Sequence, residues 1–244
     1  MKKIEIKIVL VGHVNRIVEV NALKEFTSKY FTINKYEKVA NLPPPKKADG
    51  FLDIVYSKTE ITRLLENVSC AGICVGIMNY SFDDNFYMHR VGENKMCISL
   101  SKIDSILLQK DISIENFIIK CIYEAVVLYK IFGTLTDDRI YDFIHRDTRG
   151  CLFDLNGDKG DVIYNTEKPI ICDECKSKIN RGSIPVGLIE SIGTELKRIH
   201  KPWVKSAELF IKRYPLISII STIILSTLIN LFSSYIWYSF MRAK

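Results

Sequence analysis

Residues 114–133 read IENFIIKCIYEAVVLYKIFG, and this stretch decides how the chain is organised. Phe117, Ile118, Cys121, Ile122, Ala125, Leu128 and Tyr129 recur at the three- and four-residue intervals that place side chains on one face of a helix. Gly133 stands where a helix would end in a left-handed residue. The spacing therefore predicts a long, largely buried helix over residues 114–132.

The flanking segments alternate in character. Residues 3–12 read as a buried strand closing at Gly12, and residues 17–30 have helical spacing through Ile17, Val20, Leu23 and Phe26. Strands are expected around Phe31–Tyr36, Phe51–Tyr56 and residues 72–80, with a short helix after an N-cap at Thr59. Two further runs, 86–91 and 95–100, flank Gly92-Glu93-Asn94 and predict a hairpin. Beyond the long helix, Asp137–His145 reads as helical, and residues 150–176 read as loop punctuated by Gly and Asp. Alternating strands and helices define an α/β domain, about residues 1–183.

The last part of the chain has a different composition. No charged residue occurs from Tyr214 through Met241, and the run is rich in Ile, Leu and Ser. About 20 apolar residues cross a bilayer core of roughly 30 Å, so 214–241 is expected to be a transmembrane helix with the lipid bilayer as its partner. Tyr214, Tyr235, Trp237 and Tyr238 stand where an aromatic belt belongs. Residues 184–213 carry helical spacing (Val186, Ile189, Ile192, Leu196, Ile199) and read as a juxtamembrane stalk, with 203–213 either a short interfacial amphipathic helix or simple stalk. Lys197, Arg198, Lys201, Lys205, Lys212 and Arg213 precede the span, and only Arg242 and Lys244 follow it. The positive-inside rule then expects a single-pass membrane protein whose N-terminal domain is cytoplasmic. The opening Met1-Lys2-Lys3 runs into an alternating strand and not into the apolar core of a secretory signal, which agrees.

In a reducing compartment, close cysteine pairs read as metal ligands before disulfides. Cys172-Asp173-Glu174-Cys175 is such a pair, with Cys151 upstream and His145 before it. The pattern His145-x5-Cys151-x20-Cys172-x2-Cys175 offers three thiolates and one imidazole, the donor set of a closed tetrahedral zinc site. Asp147 is an alternative fourth ligand. The segment between these residues has too few apolar side chains to fold alone, so a metal would act as its staple. Cys70, Cys74, Cys97 and Cys121 lie on apolar stretches and read as core residues. Asp154-x-Asn156-x-Asp158 resembles a calcium loop, but Lys159 and Asn165 occupy its Gly and Glu positions, and it reads as a turn. Lys and Arg exceed Asp and Glu by six, without a basic stripe interleaved with aromatics, so nucleic acid is not an expected partner.

The order of parts resembles the archaemetzincins, a branch of the metzincin zinc peptidases that carries HExxHxxGxxH followed by cysteines and a closing CxxC. His145, Cys151 and Cys172-x-x-Cys175 keep that family's spacing, and the strand 72–78, the hairpin strand ending at Leu100 and the helix 114–132 stand where its upper sheet and active-site helix would be. The resemblance implies a metzincin-like twisted mixed sheet over about residues 1–180. It also locates the departures. Tyr123-Glu124-Ala125-Val126-Val127 replaces HExxH, the cysteine after the third His is Arg146, and the segment from the helix to His145 is longer than GxxH allows. Only Glu124 survives as a catalytic candidate, and His145 would complete the cysteine site in place of the thiolate lost at Arg146.

The expected function is therefore a catalytically degenerate, membrane-anchored zinc module that binds a peptide or protein partner, with the hairpin edge as the docking strand. A cytosolic sensor joined to one span suits a bacterial stress or anti-phage defence system. A second copy of the chain is a further expected partner. The alternative is an active membrane-tethered zinc hydrolase with an unusual metal set, for which His13, Asp83, Asp84 and His89 are the spare polar residues. On the degenerate reading, Glu124→Gln leaves the protein's effect mostly intact.

Overall fold

A computed structural model describes residues 2–14, 17–45, 47–49, 53–180, 187–199, 211 and 214–242. The chain forms two compact units, Met1–His200 and Lys201–Lys244.

The first unit is built on a five-stranded mixed sheet. Its strands are β1 (Ile4–Val11), β2 (Phe31–Val39), β5 (Ile73–Met78), β7 (Met88–Gly92) and β8 (Lys95–Ser99), in the order β2-β1-β5-β8-β7. The first three pairings in this order are parallel, and in the fourth β7 runs antiparallel to β8 as the expected hairpin. A smaller sheet joins β3 (Lys47–Asp49), β4 (Asp53–Tyr56) and β6 (Ser81–Phe82).

Side-chain alternation along the strands sorts the two faces of the large sheet. Ile6, Ile8, Leu10, Ile73, Val75, Ile77, Met96 and Ile98 join the main core. Val9, Val11, Cys74, Met78 and Cys97 join a second cluster with Ile61 and Leu65. The latter two belong to α2 (Lys58–Glu66), which covers that face. Its cap is Ser57 and not Thr59: Ser57 Oγ accepts from Glu60 N at 3.2 Å while the Glu60 carboxylate accepts from Ser57 N at 2.8 Å. This reciprocal capping box satisfies two orphan donors at once, which a cap at Thr59 would not.

On the main-core face lies α4 (Ile114–Phe132), capped by Ser113 and closed by Gly133 at φ 75°, with the bounds that its periodicity predicts. Its Tyr123 ring meets Phe31 edge-on at 5.0 Å between centroids. Each large apolar side chain buried this way is worth about 1.5–3 kcal/mol, so the stripe anchors the sheet against the helix.

Elsewhere local reading and structure part. Only α1 (Val20–Glu25) forms within 17–30, and 137–145 contains a 3-10 turn, Asp138–Phe143, after which the backbone extends at Ile144. Between 150 and 180 the expected loop carries α5 (Val162–Glu167) and α6 (Asp173–Asn180), while α3 (Ile103–Gln109) precedes the long helix.

The larger correction concerns the stalk. Within it, α7 (Leu188–Leu196) belongs to the first unit, with Leu188, Ile189, Ile192, Leu196 and Ile199 all in the main core. Its helical period is as the sequence suggests, but its apolar face packs on the domain. Glu195 anchors it, accepting from Tyr123 Oη at 2.7 Å, Ser28 Oγ at 2.7 Å and Lys29 N at 2.9 Å. Burial opposes ionisation, yet these donors hold the Glu195 carboxyl below its usual range. A lowered carboxyl pKa stabilises the fold at neutral pH, and that contribution is lost as pH falls through the lowered value. The expected amphipathic segment 203–213 lies outside the described residues apart from Ile211.

In the second unit, α8 (Pro215–Arg242) contains a 24-residue stretch, Pro215–Tyr238, long and apolar enough to cross a membrane. At about 1.5 Å per residue it exceeds the roughly 30 Å hydrocarbon core. Ser218, Thr222 and Thr227 turn their hydroxyls back onto carbonyls four residues earlier, at 3.0, 2.9 and 2.9 Å, which satisfies their donors within the helix. Deleting residues 214–244 is expected to move the protein from the membrane pellet to the supernatant after ultracentrifugation; a truncated chain that still pellets would place the anchor elsewhere.

Candidate metal centre and adjoining pocket

His145, Cys151, Cys172 and Cys175 converge as the spacing predicts, their donor atoms all lying within 4.8 Å of one another. Three separate segments deliver them. His145 follows the 3-10 turn and is held by its own backbone, its N–H donating to Phe153 O at 3.0 Å and its carbonyl accepting from Leu155 N at 2.8 Å. Cys151 sits on a bridge to Ile170, with Leu152 N donating to Ile170 O at 2.7 Å. Cys172 and Cys175 flank the start of α6, where Lys176 N closes the first turn onto Cys172 O at 2.9 Å.

Asp154 braces the arrangement: its Oδ2 accepts from Arg149 N at 2.8 Å and Cys151 N at 2.9 Å. Together with Asp158, which caps the next turn by accepting from Gly160 N, it gives the Asp-x-Asn-x-Asp motif the turn role read from sequence.

His145 Nε2 lies 3.0 Å from Cys175 Sγ and 3.2 Å from Cys172 Sγ, and Cys172 N points at Cys151 Sγ from 3.5 Å. Bonds of about 2.3 Å to sulfur and 2.0 Å to nitrogen in a tetrahedral zinc site put ligand atoms about 3.5–3.8 Å apart, so small adjustments suffice. A hydrogen bond from the Cys175 thiol pushes Cys151 down to about 5, while sharing that proton raises Cys175. Three sulfurs and one imidazole nitrogen, three of the four buried, form a cluster that could hold a metal ion. Asp147 is not part of it. Its carboxylate is exposed and paired with Arg149 Nε at 2.6 Å, and Arg149 also binds Glu174 at 2.7 Å.

The other predicted residues lie elsewhere. Glu124 is buried and lines a pocket of about 240 Å³ with Arg90, Tyr141, His89, Asp84 and Asp154. Its Oε2 is 3.4 Å from Lys120 Nζ, the helical partner expected from their four-residue spacing, and its Oε1 is 3.7 Å from Arg90. Tyr123 is committed to Glu195, and Val127 is buried in the core. His89 pairs with Asp84 at 2.9 Å and stacks edge-on against Phe82, so it is half-buried at the pocket rim and not a free surface residue. His13 and Asp83 are exposed. Cys74, Cys97 and Cys121 are buried and Cys70 half-buried, as read.

Sequence reading missed Arg90, Tyr141 and the bracing role of Asp154. For Arg90 the available signal was alternation along β7, which puts it two residues from Met88 on one face. Its partner on α4 is too distant in sequence to be seen. The fold and site thus define an α/β domain with a Cys3His cluster, followed by an apolar helix. Comparisons with protein-family models, curated proteins and solved structures find no match to this chain.

Proposed function

We propose that this protein is a membrane-anchored cytosolic module, stapled by one structural zinc ion, that binds an extended peptide or protein segment on a metzincin-like framework without performing hydrolysis. The zinc assignment rests on the donor chemistry: three thiolates and one imidazole in a closed, largely buried site suit a structural zinc. When bound, the ion supplies folding free energy by joining the His145 turn, the Cys151 bridge and α6. The metzincin-like reading is supported by the mixed sheet with a lone antiparallel edge strand beside the long α4. The basic flank before α8 supports a cytoplasmic domain. A sensor domain on one span suits a stress or anti-phage defence system, and self-association of the span through a second copy would disturb the bilayer.

One observation carries the non-catalytic reading. Glu124, the survivor of the catalytic pattern, faces Lys120 and Arg90, and among the described residues no cluster of three or more metal-ligating side chains includes it. A peptidase glutamate must take a proton from a metal-bound water. Glu124 is instead a counter-ion.

Binding falls to β7. Tyr87 O accepts from Ser99 N at 2.8 Å. The antiparallel alternation then turns the backbone groups of Met88 and Arg90 away from β8, toward the outer edge. An extended ligand can add a strand there. The test is selection of displayed heptapeptides against the full chain in nanodiscs, followed by fluorescence anisotropy on the selected peptide. N-methylation of its alternate amides should weaken binding roughly tenfold or more, since each lost hydrogen bond costs about 1 kcal/mol. Equal binding of the methylated peptide, or cleavage of the unmethylated one, would contradict the reading.

A further inference from the structure

We infer that the pocket beside β7 is a subsite for a carboxylate side chain, Asp or Glu, of the bound segment, with Arg90 as its receptor. The inference rests on the reading of β7 as a docking strand and deepens it.

The charges around Glu124 are unequal. Lys120 is fully buried, and Arg90 has a side chain only 17% exposed, yet the two share the single carboxylate of Glu124. The contacts, 3.4 and 3.7 Å, are longer than the 2.7–2.9 Å of a charge-assisted hydrogen bond. Among the described residues, the Arg90 guanidinium donates no hydrogen bond. Its Cζ lies 5.7 Å from the centroid of the Tyr141 ring, within cation–π range. A cation–π contact uses none of the N–H donors, so the guanidinium fork that matches a carboxylate is left for another partner.

The other acids lining the pocket do not fill that role. Asp84 is held by His89 and by Phe86 N. Asp154 spends Oδ2 on two backbone N–H groups, while its buried Oδ1 has no donor. The walls of Phe86, Ile144 and Leu155 suit the methylene stem. A volume of about 240 Å³ fits one side chain and falls below the roughly 300–1,000 Å³ of a site for a whole small-molecule ligand. Glu124 disfavours a dianion, so a carboxylate is preferred over a phosphate.

The test uses the full chain in nanodiscs, labelled with ¹⁵N-arginine, with the Arg90 Nε–H resonance assigned by its loss in Arg90→Gln. Three probes are titrated: N-acetyl-glutamate N-methylamide, its glutamine counterpart, and N-acetyl-alanine, whose only carboxylate is terminal. The glutamate probe should shift the Arg90 resonance saturably and bind at least tenfold tighter than the other two. Arg90→Gln should erase that preference, and Arg90→Lys should keep its sign with weaker binding. An Arg90 resonance unmoved to the solubility limit, or equal binding of the glutamine probe, would overturn the subsite. Equal binding of N-acetyl-alanine would overturn its assignment to a side chain. If the glutamate probe binds but N-methylated and unmethylated heptapeptides bind alike, the docking strand fails and the carboxylate site stands. The reverse pattern retains the strand and removes the subsite.

Discussion

Cys175→Ser, made in the full chain, is expected to leave most of the protein aggregated or loosely folded, and a strong chelator should reproduce the effect on the wild type. The segment from Ile144 to Ile171 contains one short helix, a 3-10 turn and two isolated bridges. The His–Cys cluster joins its two ends to α6. Apparent binding energies of structural zinc sites, about 10–16 kcal/mol, equal or exceed the total stability of a typical domain, about 5–15 kcal/mol. Serine offers no thiolate, so the loss should be several kcal/mol. Cys70→Ala, at a half-buried cysteine outside the cluster, should cost about 1 kcal/mol or less. Soluble yield and thermal unfolding followed by circular dichroism compare the two. Equal behaviour of both variants would mean that the cluster is not a staple.

The second large effect lies at the buried ion pair. Glu124→Gln alone should destabilise the domain by about 3–5 kcal/mol, because it strands the fully buried Lys120 without a counter-ion. Lys120→Met/Glu124→Gln together should regain much of that loss, since a buried pair replaced as a unit is often neutral, with the remainder reporting Arg90, which keeps its charge. The sequence-based expectation that Glu124→Gln leaves the protein's effect mostly intact concerned catalysis; the buried contact with Lys120 adds an expected cost in stability. The cycle also separates structure from catalysis. If Glu124 only balances Lys120, the double variant recovers both stability and the protein's cellular effect. Recovered stability with lost effect would show that the carboxylate itself is needed. Guanidinium unfolding of the four proteins, paired with whatever cellular assay reports function, decides between them.

Some of this architecture was legible along the chain and some was not, for reasons that differ by residue. The bounds of α4 follow from a local period and Gly133, the β7–β8 hairpin from Gly92-Glu93-Asn94 between alternating runs, and α8 from an uncharged run. The cysteine cluster was legible because a C-x-x-C pair and one upstream cysteine leave few alternatives, whereas the choice between His145 and Asp147 was not: the cluster contains His145, and Asp147 pairs with Arg149. What remained hidden is pairing between distant segments. The period of α7 was visible, but Tyr123 and Glu195 are 72 residues apart, and nothing local says that the apolar face meets the domain. The same holds for Arg90 and Glu124. Consequently the folded unit runs past residue 183, and a soluble fragment ending near 185 would remove α7 and expose the core it covers.

The measurement that bears most directly on the central claim is elemental analysis of the full chain, purified in reducing buffer and quantified by amino-acid analysis. The account predicts one zinc per chain in the wild type and none in Cys172→Ser or Cys175→Ser material that remains soluble. Wild-type protein that is folded and metal-free, or that carries two zinc ions, would contradict it.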